Sequence, residues 1–77
     1  MIEIIKKVKT ILLRTLKSLT ESKQEMVQIQ KIGIFEYSDE IVSNFDYSIE
    51  LLTNDLEFVQ SLLASNNKRK LWGCNNG

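Results

Sequence analysis

The sequence predicts an all-α fold, an antiparallel hairpin of two long helices, and three observations predict it. Proline is absent from the 77 residues and the three glycines stand at Gly33, Gly73 and Gly77, so two stretches of about thirty residues contain neither strong helix breaker. Apolar residues recur at heptad spacing through both stretches. Between them, Gly33 to Ser38 has the chemistry of one helix ending and another beginning.

In the first stretch, expected to be helical over about residues 2–32, Ile5, Leu12, Leu19 and Met26 recur every seven residues. Val8, Thr15, Ser22 and Ile29 follow three places later, which predicts an a/d seam with a polar middle. Ile4, Ile11 and Leu16 widen the stripe beyond what one partner helix needs. Thr15 and Ser22 either restrict the register of the seam or bond back to carbonyls of the preceding turn. The alternative is a break at Thr20 to Ser22, giving three shorter helices. A strand over Val27 to Tyr37 has no second strand to pair with.

The second stretch, about Asp39 to Ser65, places Val42, Ile49, Leu56 and Leu63 at one heptad position and Phe45, Leu52 and Val59 at the complementary one. At 1.5 Å per residue such a helix spans roughly 40 Å. At the joint, Gly33 suits a left-handed C-terminal residue, with Ile34 placed to touch Ile29 as in a Schellman motif. Ser38 suits an N-cap, Asp39 and Glu40 face the positive end of the new helix, and Tyr37 and Val42 sit where a hydrophobic staple closes. A connection of this length returns the chain antiparallel.

Chain length makes the lone hairpin marginal, because a single core of this size usually needs a staple or an oligomer. The one cysteine, Cys74, forms no intramolecular disulfide, and the absence of histidine leaves no mixed zinc site, so no metal, cofactor or catalytic residue is expected. A reducing, cytoplasmic setting follows. The first apolar run, Ile11-Leu12-Leu13, is too short for a signal peptide or a membrane span, so a soluble protein is expected.

Besides its seam, the second helix carries Tyr47, Leu51, Phe58 and Leu62 on a flank that a single hairpin leaves facing water. Exposed apolar patches of this kind mark interfaces. These residues, together with Trp72 as a tail anchor, are the expected protein interface, with the wide face of the first helix or the tail as the internal alternative cover. Completion of the core by dimerisation into a four-helix bundle is the expected remedy.

Ten basic and ten acidic residues cancel, but they are segregated. Residues 1–34 hold seven Lys/Arg against three Glu, residues 35–67 hold seven acids and no base, and a basic, partly flexible tail over 66–77 adds Lys68, Arg69 and Lys70. Lys6, Lys7, Lys9, Arg14, Lys68, Arg69 and Lys70 therefore form a basic pole, the candidate nucleic-acid contact, opposite acids at Glu36, Asp39 and Glu40. Dipole complementation and attraction between neighbouring basic and acidic helices account for the same charges without a ligand. The first helix lacks the aromatics that would stack on bases or anchor it to a membrane surface, so membrane binding is not expected.

The plan resembles small antiparallel helical hairpins that pair into four-helix bundles, among them a plasmid copy-number regulator that binds paired RNA loops; the likeness is architectural and covers residues 2–65. Ser48-Ile49-Glu50-Leu51-Leu52 lacks the Gln and the Asp of the Ser-Gln-Glu-Leu-Asp signature of the sporulation-relay phosphatases, so their chemistry is not expected. The function expected is a non-enzymatic protein-interaction module, self-associating and binding another protein, such as a phage or accessory-gene inhibitor or adaptor of a host factor. A dimeric helical RNA- or DNA-binding regulator is the alternative. Affinity measured against salt separates them, since phosphate binding weakens steeply as salt rises.

Overall fold

The computed structural model describes the backbone of residues 1–76 and the side-chain surroundings of residues 1–65. Two helices, α1 (Ile2–Ile32) and α2 (Ser38–Asn76), pack along each other. Two cross-links set an antiparallel register: Lys23 forms an ion pair with Asp46, and Gln30 Nε2 donates to Asp39 Oδ1 at 2.6 Å. In both pairs the residue numbers add to the same value, so position n of α1 lies beside position 69 − n of α2. The result is a rod of 66 × 15 × 14 Å with a radius of gyration of 18.3 Å, against about 11.5 Å for a compact globule of this length.

α1 is continuous through Thr20 to Ser22, which excludes the three-helix alternative. The threonines stay in the helix by satisfying their hydroxyls locally: Thr15 Oγ1 and Thr20 Oγ1 each donate at 2.8 Å to the carbonyl four residues earlier, Ile11 and Leu16. Thr15 thus bonds back to its own helix and is exposed, not placed in the seam. No strand forms among the described residues.

The seam of α2 is the expected one. Val42 is buried, and Phe45, Ile49, Leu52, Leu56, Val59 and Leu63 are half-buried. On α1 the expectation needs correction. Ile5, Leu12, Leu19 and Met26 do face α2, but their companions are Lys9, Leu16, Lys23 and Gln30, four places later rather than three. Val8 and Ile29, assigned to the seam from their spacing, are exposed, as is Thr15, and Ser22 alone of that row is half-buried. The shift is tolerated because a lysine lays its methylene stem along the apolar seam and carries its ammonium outward. Lys23 ends on Asp46.

α1 ends at Gly33, whose φ of 76° and ψ of 16° are left-handed, and whose N–H donates to the carbonyls of Gln30 at 3.1 Å and Ile29 at 3.4 Å. Ile34 is 83% exposed, so the apolar contact of a Schellman motif contributes little. At the start of α2 the cap lies one residue earlier than expected. The carbonyl of Tyr37 accepts from the Ile41 N–H at 3.1 Å, which makes Tyr37 the cap and buries Ser38 in the first turn. Tyr37 packs edge-on against Phe35, with ring centroids 5.8 Å apart, instead of stapling Val42 from the position before the cap. Asp39 and Glu40 lie in the first turn as expected.

Gly33 supplies a direct test of the joint. Nothing lies within 4 Å of a Cβ built there, so a side chain meets no neighbour and only the positive φ penalises it. Gly33→Val is expected to lower stability by about 1–2 kcal/mol, and Gly33→Asn by less, in urea unfolding followed by circular dichroism. An unchanged Gly33→Val midpoint would show that the left-handed cap is dispensable.

The backbone of α2 continues to Asn76, beyond the Ser65 expected from periodicity. The side chains of the basic tail, including Trp72 and Cys74, lie outside the described residues.

Candidate functional site

A helix presents its residues at 100° intervals, so positions spaced alternately by four and three share a stripe. On α2 such a stripe runs Asn44, Ser48, Leu51, Asp55, Phe58 and Leu62, with Tyr47 at its outer edge. Tyr47, Leu51, Phe58 and Leu62 are 63%, 46%, 56% and 41% exposed. All four expected interface residues on α2 therefore lie open, and α1 does not cover them. That removes the alternative in which the wide face of the first helix buries this flank.

α1 carries a second stripe, and sequence reasoning assigned it in part to the wrong role. Ile4, Val8, Ile11 and Ile29 are all exposed, on the side of the α1 seam that passes through Leu19 and Met26. A shallow open groove of about 240 Å³ shows how the two stripes relate, since it is lined by Leu19 of α1 and by Ile41, Asn44, Phe45 and Ser48 of α2. Its α1 wall leads to Val8 and Ile11, and its α2 wall leads through Ser48 to Leu51 and Phe58. Both apolar flanks therefore lie on one side of the hairpin. The register sets Ile11 level with Phe58 and Val8 close to Leu62. The 4-3 spacing of Ile4, Val8 and Ile11 was the signal in the sequence that could have separated this stripe from the seam.

The opposite side is charged. It carries the Lys23–Asp46 pair, and Lys17, Glu50, Glu57 and Gln60 are exposed. The ion pair is half-exposed at Lys23 and more open at Asp46, so solvent screens it and it contributes at most about 1 kcal/mol.

Of the expected basic pole, Lys6, Lys7 and Arg14 are exposed at the open end of the hairpin, while Lys9 is half-buried in the seam. Lys68, Arg69 and Lys70, like the proposed anchor Trp72, lie outside the residues whose side chains are described. Near the turn, Ile32, Ile34, Phe35 and Tyr37 form a smaller exposed apolar cluster. Among the described residues no group of three or more metal-ligating side chains gathers, and no helix is long and apolar enough to cross a membrane. Comparisons with models of known protein families, with curated proteins and with solved structures gave no match.

Proposed function

We propose that this protein is a non-enzymatic interaction module that works by occupancy: the hairpin offers its two-stripe apolar side to other helices and completes its core as a four-helix bundle, most simply by dimerising. The observation that carries this is the imbalance of burial. Val42 is the single buried apolar residue among those described, whereas fourteen large hydrophobic residues remain exposed. Eight of these, Ile4, Val8, Ile11 and Ile29 with Tyr47, Leu51, Phe58 and Leu62, share one side. Burying a large apolar side chain fully contributes about 1.5–3 kcal/mol, so a partner on that side adds more than the hairpin's own half-buried seam can retain alone.

Site-specific photo-crosslinking tests the assignment of the side. With benzoylphenylalanine in place of Phe58, in cells that express the chain natively, an adduct with another polypeptide chain is expected, and it should disappear when Leu51→Glu is added. The same probe at Gln60, on the charged side, should give none. Equal yields from the two positions, or no adduct from position 58, would remove the proposal.

A further inference from the structure

We infer that the occupant of the apolar side is a second copy of this chain laid end for end, its turn over the open end of the first. This rests on the interaction-module proposal and adds to it the identity and orientation of the partner.

The first support is area. The chain exposes 6,267 Å², whereas a compact monomer of 8.9 kDa exposes about 4,800 Å². An excess of roughly 1,500 Å² per chain, about 3,000 Å² for a pair, falls within the range buried by obligate homodimers. The total includes the part of α2 that continues past the start of α1, and the remainder is an area that one further copy can cover.

Charge sets the orientation. The half of the hairpin that contains the turn, residues 18–52, has Lys23 and Lys31 against seven acids, a net charge of −5. The open half, over the described residues 1–17 and 53–65, has five basic residues against Glu3, Asp55 and Glu57, a net charge of +2. Lys68, Arg69 and Lys70 continue α2 past that end and raise it to +5, so the neutral chain is two opposed halves. A co-aligned pair sets like charge beside like at both ends. An end-for-end pair sets each half on its opposite, and complementary potentials of this kind select orientation.

The stripes fit the same arrangement. A two-fold axis through the middle of the hairpin, between the levels of Leu16 and Lys17 on α1 and of Leu52 and Thr53 on α2, turns α2 antiparallel to its copy and α1 antiparallel to its copy. Tyr47 then meets the level of Phe58 across the axis, Leu51 lies close to the axis itself, and Ile4 meets the level of Ile29. Within a turn, Ile4 pairs with Ile29, Tyr47 with Phe58 and Leu51 with its own copy, whereas Asp55 of the α2 stripe, close to the axis, has to keep its carboxylate at the solvent edge of the contact. Ile11 lies level with Ser22, Leu62 with Ser43 and Val8 with the exposed Glu25.

The test combines mass with distance. In the chain carrying Cys74→Ser and Lys31→Cys, a nitroxide at position 31 reports from the charged side, away from the proposed contact. Sedimentation equilibrium at about 50 μM should give twice the chain mass. Double electron–electron resonance should then give about 45 Å between labels, because position 31 of one copy lies level with position 2 of the other at 1.5 Å per residue. A dimer with labels closer than about 25 Å, the distance across a co-aligned four-helix bundle, overturns the orientation. A monomer overturns the second copy as occupant, and photo-crosslinking from position 58 to a different polypeptide would in that case leave the interaction module standing.

Discussion

Replacing Leu51 and Phe58 together by glutamate is expected to leave a poorly folded or aggregating chain of monomer mass. Both side chains are about half exposed in the hairpin, at 46% and 56%, so within a single chain the change should be mild or even favourable to solubility. Across a contact it cannot be mild, because two unpaired carboxylates would have to leave water. Sedimentation equilibrium and thermal melting distinguish the two cases. The matched control is Ser43→Glu with Gln60→Glu, which adds the same charge at exposed positions of α2 outside the apolar stripe and should leave mass and melting unchanged. A double variant at 51 and 58 that behaves like this control, or a parent chain already monomeric at tens of micromolar, would sink the idea.

The second large effect is expected at Val42, which is 9% exposed and is the one buried apolar side chain among those described. Val42→Ala should cost about 2 kcal/mol, from two methyl groups withdrawn from the seam and the space they leave. Val42→Asp should cost 3 kcal/mol or more, because a carboxylate there has no partner and faces the apolar seam of α1. Leu13→Ala serves as the contrast. Leu13 is 46% exposed, off both the seam and the apolar stripes, and its truncation should change stability by about 0.5 kcal/mol or less. Urea unfolding followed by circular dichroism measures all three. Equal sensitivity at positions 13 and 42 would mean that the two helices do not pack through the Val42 seam.

The contrast between the two helices shows how far periodicity can be trusted. On α2 only one pair of heptad lines is apolar along its whole length, Val42, Ile49, Leu56 and Leu63 with Phe45, Leu52 and Val59, and the structure buries that pair against α1. On α1 the line Ile5, Leu12, Leu19 and Met26 has two possible companions. Spacing favoured the more apolar one, Val8, Thr15, Ser22 and Ile29. The fold uses Lys9, Leu16, Lys23 and Gln30, because long polar side chains can run along a seam and end on acids of α2, as Lys23 does on Asp46 and Gln30 on Asp39. The more apolar line was thereby left open, which enlarged the surface available to a partner.

By itself the sequence determined that two helices form, that they meet at a left-handed Gly33, and that α2 has an apolar flank beyond its seam. Each of these depends on the order of residues within a few turns, through breaker placement, positive φ and the 3.6-residue period. Only the tertiary structure decided which half of the wide apolar face of α1 packs on α2, and that the other half lies on the same side as Tyr47, Leu51, Phe58 and Leu62. Periodicity measures how wide an apolar face is, whereas the rotation of each helix about its axis is set by contacts between residues distant in the chain, here the pairs that join positions 23 and 46 and positions 30 and 39.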